Sequence, residues 1–157
     1  MPTFFDVVAF AKALKISVLE IEMPNEDISG FIIKSEDNLV SACVNVKNKP
    51  REKRFTLAHE IGHYFMHNDK LTAGLVDTLK SDNTVNKVEN EANEFAYNLL
   101  MPEDKFLKLW KDKTKDVSDM CDAFGVSEMT LITRAGDLNC LNERLEYQII
   151  KNNNGNT

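Results

Sequence analysis

The sequence predicts an α+β fold, with strands in the first third of the chain and helices in the remainder. β-Branched and apolar residues cluster between residues 28 and 46 on either side of a polar turn sequence, which is typical of paired strands. Over about residues 55–67, and again from about residue 86 to 138, the spacing of apolar residues is that of amphipathic helices. Of the 157 residues, 43% are hydrophobic, which is enough for the chain to bury a core of its own.

The first predicted elements are a helix and a small group of strands. Apolar residues at helical spacing predict an amphipathic helix over residues 3–14. SVLEIEM, residues 17–23, can form a short strand, because proline and glycine interrupt the chain after it. ISGFIIKSEDNLVSACVNV, residues 28–46, predicts two strands joined by a turn at SEDN. KNKPREKR, residues 47–54, predicts a solvated basic loop.

Two longer helices are predicted next, with an irregular segment between them. The first begins near Phe55 and ends at about His67. Residues 68–85 lack a clear period and predict a loop with at most a short helical turn; so long a loop is often functional. Helical spacing returns from about Asn86 to Leu100.

The C-terminal part predicts three further helices. Pro102 stands where a new helix would begin, since proline is favoured in the first turn. VSDMCDAFGVSEMTLITRAGDL, residues 117–138, predicts a helix, a turn at Gly125 and a second helix with Ser127 as its N-cap. We expect a single domain over residues 1–150 and a disordered tail over residues 151–157.

Charge and cysteine usage limit the class of protein. The formal net charge is −6 and the pI is about 5.1, which argues against direct nucleic-acid binding. Cys43, Cys121 and Cys140 are odd in number and far apart, so we expect no disulfide framework and a reduced, cytoplasmic setting. Asp6 and Lys12 interrupt the apolar N-terminus, so neither a signal peptide nor a membrane span is expected.

All three histidines of the chain lie in RFTLAHEIGHYFMH, residues 54–67. His59, His63 and His67 are each four positions apart, and Glu60 follows the first. Residues four apart share one face of a helix, so His59 and His63 can direct their imidazoles at one metal ion. Glu60 is turned about 100° from His59, outside the ligand set but near a metal-bound water whose proton it can accept. This is the HExxH pattern of metallopeptidases.

A third ligand is needed, and helical phase favours Glu89. His67 lies about 12 Å along the helix axis from His59, so one ion cannot bridge them without a break in the helix. NKVENEANEFAYNLLMP, residues 86–102, offers two carboxylates, Glu89 and Glu91. Glu89 leads the apolar face of this predicted helix, where an unpaired charge would be costly, whereas Glu91 lies in phase with polar residues at the solvated edge.

Other residues of the motif have expected supporting places. Asn93, four residues after Glu89, can hydrogen-bond a metal ligand from outside the coordination shell. We expect His67 to pack or cap near the helix end, with lining of the cleft as the alternative. Tyr64 and Tyr97 are expected to pack, again with lining of the cleft as the alternative. Ordinary surface histidines are a weaker reading, and so is a structural zinc site, since those sites are usually closed and rich in cysteine.

RFTLAHEIGHYFMH, ENEANEFAYNLLMP and FGVSEMTLITRAGDL together resemble the ImmA/IrrE family of metallo-endopeptidases, over roughly residues 28 to 138. The resemblance implies a small zincin-like metallopeptidase domain, in which a short β-sheet packs on the HExxH helix and further helices follow. It implies that His59, His63 and Glu89 bind one Zn²⁺ per chain, with other divalent metals as alternatives. It also implies that Glu60 is the general base and that Glu89 to Asn93 is the family's ExxxN/D step.

Members of this family typically cleave a helix-turn-helix repressor. The resemblance therefore implies a zinc-dependent endopeptidase that derepresses genes of a prophage, mobile element or stress response, with a co-encoded repressor as its protein partner. One alternative is an anti-repressor that binds without cutting, against which the intact Glu60 argues. Another is a DNA-binding helix-turn-helix over residues 117–138, but its second helix carries only one basic residue, Arg134.

Overall fold

A computed structural model describes residues 4–73 and 83–144, and they form the predicted α+β fold. The chain divides into two compact units. One is Phe5–Leu100, and the described part of the other is Phe4 with residues 101–144. The single domain expected over residues 1–150 stays a prediction.

The first unit contains the sheet and the helices that carry the histidines and glutamates of interest. Its strands and helices confirm the predicted order and differ from the predicted bounds by a few residues at most of their ends. In chain order they are α1 (Val7–Ala13), β1 (Ile16–Ile21), β2 (Gly30–Lys34), β3 (Val40–Asn45), α2 (Pro50–Met66), a 3₁₀ helix (Asn68–Ala73) and α3 (Asn83–Leu100).

The three strands form a mixed sheet in the order β1-β3-β2. β3 is central and pairs with β1 in parallel, from Ile16 opposite Val40 to Ile21 opposite Asn45. β2 pairs with β3 in the antiparallel sense and occupies an edge. Helix α2 packs against β2 and β3, as the predicted architecture requires. Its contribution to the core includes buried apolar side chains, namely Leu57, Ala58 and Ile61.

Helix α2 begins at Pro50, before the predicted start near Phe55. Proline suits the first turn of a helix because its missing N–H would have no partner there. The Glu52 carboxylate accepts a hydrogen bond from the backbone N–H of Lys49 at 3.0 Å, which satisfies a donor at the start of the helix. The prediction of a basic loop over residues 47–54 is therefore wrong from Pro50 onward, and those basic side chains belong to the first turns of α2.

The loop predicted over residues 68–85 is shorter than expected at both ends. Residues 68–73 form the 3₁₀ helix, which agrees with the short helical turn anticipated there. Helix α3 begins at Asn83, three residues before the predicted start. The segment between them, residues 74–82, lies outside the described residues.

Helices α2 and α3 approach each other closely at Gly62. A Cβ added to Gly62 would lie 3.1 Å from Cβ of Phe95 and 3.2 Å from both Cα and the carbonyl oxygen of Ala92. Those distances are tighter than ordinary van der Waals contact, so a larger residue would require the helices to move apart. Gly62 therefore sets how near the histidine face of α2 comes to α3.

The second unit contains the further C-terminal helices that were predicted, α4 (Glu103–Lys111), α5 (Val117–Phe124) and α6 (Glu128–Asp137). Pro102 is the N-cap residue of α4. Gly125 ends α5 in the left-handed conformation, with φ of 64°, which favours glycine. Ser127 Oγ accepts a hydrogen bond from the backbone N–H of Thr130 at 3.2 Å and so caps α6. The predicted helix, turn and helix are confirmed.

Two further observations concern the setting of the chain. Cys43, Cys121 and Cys140 are buried, and the structure joins none of them in a disulfide. Among the helices in the described ranges, none combines the length and the apolar character that crossing a bilayer demands. The tail predicted over residues 151–157 lies outside the described residues.

Candidate metal centre

A cavity of about 280 Å³ lies between the edge strand β2 and the helices α2 and α3, all within the first unit. Its wall combines apolar rings with carboxylates and imidazoles. The residues that line it are Asp27, Ile28, Ser29, Gly30, Phe31, Phe55, Thr56, His59, Glu60, His63, Glu89 and Asn93.

His59, His63 and Glu89 meet at the base of this cavity. Nε2 of His59 lies 3.1 Å from Oε2 of Glu89, and Nε2 of His63 lies 3.1 Å from Oε1 of the same carboxylate. The two Nε2 atoms are 3.1 Å apart. One ligand atom from each residue falls within 4.8 Å of the others, so the group can hold a metal ion. Two imidazole nitrogens and one carboxylate oxygen are a donor set found in catalytic zinc sites.

Helix periodicity explains why the three residues meet. His59 and His63 are one turn apart on the face of α2 that lies toward α3. Glu89 precedes Ala92 and Ala96, whose side chains are fully buried along α3. The phase that places these alanines inside the unit therefore turns Glu89 toward α2, as the sequence predicted.

The centre is closed at its back and open toward the cavity. The His63 side chain is 2% exposed and that of His59 is 13% exposed, whereas the Glu89 side chain is 36% exposed. Catalytic zinc sites have three protein ligands and a fourth position that water or substrate can occupy. An opening on the Glu89 side is consistent with access of that kind.

The two imidazoles and the Glu89 carboxylate shift one another's protonation. Hydrogen bonds from His59 and His63 hold the pKa of Glu89 well below its usual range. Burial lowers the pKa of His59, but the hydrogen bond to Glu89 and the charges of Glu60 and Glu89 outweigh it, so the net shift is upward. For His63 burial dominates and the pKa is lowered. Glu89 is therefore ionised at neutral pH, as a metal ligand must be.

Glu60 is buried between α2 and the edge strand and is only 5% exposed. Burial raises its pKa to about 7, with the charge of His59 acting against this shift and that of Glu89 adding to it. A carboxyl group with that pKa can both accept and release a proton near neutral pH. It is adjacent to the three candidate ligands in the wall of the cavity and is not part of the ligand group.

Gly30 lets strand β2 approach Thr56 of α2 and the backbone of β3 closely, next to Glu60. A Cβ at Gly30 would lie 2.5 Å from Cγ2 of Thr56, 2.6 Å from the carbonyl oxygen of Cys43 and 3.6 Å from Oε1 of Glu60. No side chain fits there without displacing the strand or the helix. A glycine inside a strand often marks such a close approach, so this signal was present in the sequence, although the motif-based reasoning did not use it.

Asn93 lies beside His59, as expected from its spacing after Glu89. Its Oδ1 is 2.8 Å from Nδ1 of His59. An amide oxygen only accepts hydrogen bonds, so this contact favours a proton on Nδ1; in the neutral imidazole the lone pair is then on Nε2, where a metal ion could bind.

His67 lies at the C-terminal end of α2, where it is the C-cap residue and is 5% exposed. Its Nδ1 is 3.0 Å from Nδ1 of His63, and its Nε2 is 2.9 Å from Oε2 of Glu91. The sequence anticipated the position near the helix end. Helical phase alone assigned Glu91 to the solvated edge and missed this contact, because it depends on how α2 and α3 are rotated against each other.

The two tyrosines pack against aromatic neighbours. The ring of Tyr64 meets that of Phe65 edge-on, with 5.3 Å between centroids, and the ring of Tyr97 lies 5.1 Å from that of Phe55. Neither tyrosine, nor His67, is among the described residues that line the cavity.

Comparison with known proteins gives one family and a similar fold. A sequence model described as the IrrE N-terminal-like domain, Peptidase_M78, matches residues 11–135. A solved structure of a Mycobacterium tuberculosis transcriptional regulator is similar, with a TM-score of 0.55 and 17% sequence identity. The match covers 80% of this chain and 38% of that one, so this chain spans well under half of the regulator's length. Comparison with curated proteins gives no significant match.

Proposed function

The chain belongs to the IrrE N-terminal-like family, Peptidase_M78, and on that basis we propose that it is a zinc-dependent endopeptidase. The observation that carries the proposal is the meeting of His59, His63 and Glu89 beside the buried Glu60. These are the parts that metal-assisted peptide hydrolysis requires, namely three ligands, an accessible position and a neighbouring base.

His59, His63 and Glu89 would hold the metal. Zinc suits two imidazoles and a carboxylate, although other divalent ions can use the same atoms. When bound, a zinc ion would polarise the scissile carbonyl group and lower the pKa of an attacking water. The imidazole of His59 would be kept in its binding orientation by the Asn93 amide.

Glu60 would move the proton. Its carboxylate would accept a proton from the attacking water at the cavity wall and then donate it to the nitrogen of the departing amine. A pKa of about 7 suits both steps, since the group is neither too weak a base nor too weak an acid near neutrality. Burial among protein atoms would also limit exchange of that proton with bulk water.

For the substrate we propose a helix-turn-helix repressor, with the cytoplasm as the place of action. The family membership supports a protein substrate, and the fold also occurs in a protein described as a transcriptional regulator. The cavity opens beside the edge strand β2, where an extended segment of a substrate could be admitted. Three buried cysteines outside any disulfide suit a reducing compartment.

Direct DNA binding is a weaker candidate. Arg134, the one basic residue of α6, is 5% exposed, and its Nη2 donates to the carbonyl oxygen of Met101 at 3.2 Å. It is therefore directed into the second unit and away from any phosphate backbone. A repressor-binding protein that does not cut is also weaker, because it would have no use for a buried carboxylate with a raised pKa beside three metal ligands.

The decisive experiment compares new protein N-termini in host cells that make the wild-type chain or Glu60→Gln. We expect fragments that appear only with the wild type, including one from a helix-turn-helix repressor. Purified wild type and variant should contain equal amounts of zinc, because Glu60 is outside the ligand group. Equal cleavage by the variant would refute the role of Glu60, and wild-type-specific fragments without a repressor would refute the substrate assignment alone.

A further inference from the structure

His63 contacts His67 through its other ring nitrogen, and His67 in turn contacts Glu91. Nδ1 of His63 lies 3.0 Å from Nδ1 of His67, and Nε2 of His67 lies 2.9 Å from Oε2 of Glu91. His63 and His67 are both nearly inaccessible, at 2% and 5% exposure, while the Glu91 side chain is 33% exposed. The contacts form a continuous line from solvent at α3, through the C-terminal end of α2, to a candidate metal ligand.

The direction of each hydrogen bond in this line follows from which atoms can accept. A metal ion on Nε2 of His63 leaves that imidazole with its proton on Nδ1. This proton needs an acceptor, and Nδ1 of His67 lies within hydrogen-bond distance of it. A neutral His67 can accept there only if its own proton is on Nε2, and the Glu91 carboxylate, which can only accept, favours that arrangement.

We propose that His67 and Glu91 are a positioning pair, which keeps Nε2 of His63 directed at the metal and its Nδ1 protonated. The proposal rests on the proposed metal centre and adds two residues that lie outside its ligand group. Glu91 would keep the His67 proton on Nε2, and His67 would in turn accept from His63. Neither residue would touch the metal or the substrate.

The contacts of His59 give independent support, because its Nδ1 also has a hydrogen-bond acceptor, supplied there by a different residue. Asn93 Oδ1 accepts from Nδ1 of His59 at 2.8 Å. Both candidate imidazole ligands thus have an acceptor for Nδ1–H. In each case a residue of α3 fixes that acceptor: Asn93 is itself the acceptor for His59, and Glu91 acts on His63 through His67. A histidine that only capped α2 would need no carboxylate at its other nitrogen.

The pair can be tested without relying on catalysis. Zinc dissociation constants are measured by competition with a chromophoric chelator for wild type, Glu91→Ala, Glu91→Gln and the control Glu94→Ala. Glu94 is an exposed carboxylate on the same helix, three residues further on. Losing a hydrogen bond made directly to a ligand typically weakens metal binding by roughly 10–100-fold. Glu91 acts one hydrogen bond further out, through His67, so we expect a loss of up to roughly 10-fold for Glu91→Ala and no change for Glu94→Ala.

Glu91→Gln separates positioning from simple attraction of the cation. Its amide oxygen can still accept the His67 proton but carries no charge, so its zinc affinity should lie closer to wild type than to Glu91→Ala. An equal loss in both variants would overturn the positioning role in favour of a charge effect. Because the Glu91 side chain is one-third exposed, neither variant removes a packed part of the core.

A spectroscopic signature of the zinc-bound chain completes the test. Side-chain nitrogen NMR should show His67 as the neutral tautomer with its proton on Nε2, and a slowly exchanging Nδ1 proton on His63. Faster exchange of that proton is expected in Glu91→Ala. Unchanged affinity and exchange in that variant would refute the pair while leaving the metal centre intact, whereas a wild-type chain that binds no zinc would refute the proposed function itself.

Discussion

Nδ1 of His59 lies 2.8 Å from the amide oxygen of Asn93, so the first candidate ligand on α2 is held from the same helix that supplies the third. Glu89 and Asn93 are one turn apart on α3, and both contact the imidazole of His59. The geometry of the metal centre therefore depends on a single helix pair, and the consequences can be measured one residue at a time.

Replacing Asn93 by alanine should weaken zinc binding by roughly 10–100-fold, because His59 loses the acceptor that fixes its tautomer. Asn93→Asp retains an acceptor oxygen and should bind zinc nearly as tightly as wild type. Asn90→Ala is the matched control, since Asn90 is an exposed asparagine on the same helix. Chelator competition measures all three, and an equal effect of Asn90→Ala and Asn93→Ala would contradict the assignment.

Removing the Glu89 carboxylate should weaken zinc binding more than removing the Asn93 amide does, because Glu89 is a candidate direct ligand. We expect Glu89→Ala to weaken zinc binding by more than the roughly 100-fold upper range for an outer contact. Added zinc should raise the thermal unfolding temperature of wild type, and Glu89→Ala should lose most of that increase. A variant that still binds zinc as tightly as wild type would show that the third ligand is another group.

Zinc binding should release protons, and more of them as the pH is lowered from 8 toward 6. The pKa of His59 is raised above its ordinary value of 6.5, so the protonated imidazole persists to higher pH, and zinc takes only the neutral form. Zinc affinity should therefore fall as the pH falls through that pKa. The lowered pKa of His63 means that it adds little to the release near neutrality.

Calorimetry in buffers of different ionisation enthalpy measures this release. Glu60, with a pKa of about 7, is a second source of protons when a cation binds nearby. Glu60→Gln should release fewer protons than wild type, because it loses the Glu60 proton and also the charge that helps to raise the pKa of His59. Release that does not change with pH would contradict the assignment to these two groups.

Gly62→Ala should destabilise the fold by about 1–3 kcal/mol, because its Cβ would meet Phe95 and Ala92 at 3.1–3.2 Å. Zinc affinity should fall with it, since the ligands on α2 and α3 would separate. Gly136→Ala is the control, because among the described residues a Cβ there meets only Leu141, at 3.5 Å, and it should be neutral or stabilising by about 0.4–1 kcal/mol. Chemical denaturation measures the free energy of unfolding of both variants. Equal changes in that free energy would contradict the close packing of α2 and α3 at Gly62.

Much of this structure was predictable from local patterns. The strands around SEDN, the turn at Gly125 and the cap at Ser127 follow from residue types whose backbone preferences act over a few positions. The proximity of His59, His63 and Glu89 followed from helical phase, because a charged residue that leads an apolar face needs a partner inside.

Other features depend on relations that no short window contains. The parallel pairing of β1 with β3 joins segments separated by another strand, and nothing in either segment specifies that order. The contact between His67 and Glu91 requires a particular rotation of α2 against α3, so phase on α3 alone could not reveal it. The early start of α2 was hidden because the basic residues after Pro50 read equally well as a solvated loop.

The glycine–alanine contact between α2 and α3 also provides a way to engineer ion preference. Gly62 and Ala92 set the gap between two helices whose facing side chains supply all three donor atoms, so the gap and the coordination distances are coupled. Graded changes in side-chain volume at these two positions would tune the site for the radius of the ion while every donor atom stayed the same. The preference of the site among zinc, manganese and other divalent ions could then be changed by substitutions at the helix interface that leave the ligands and Glu60 untouched.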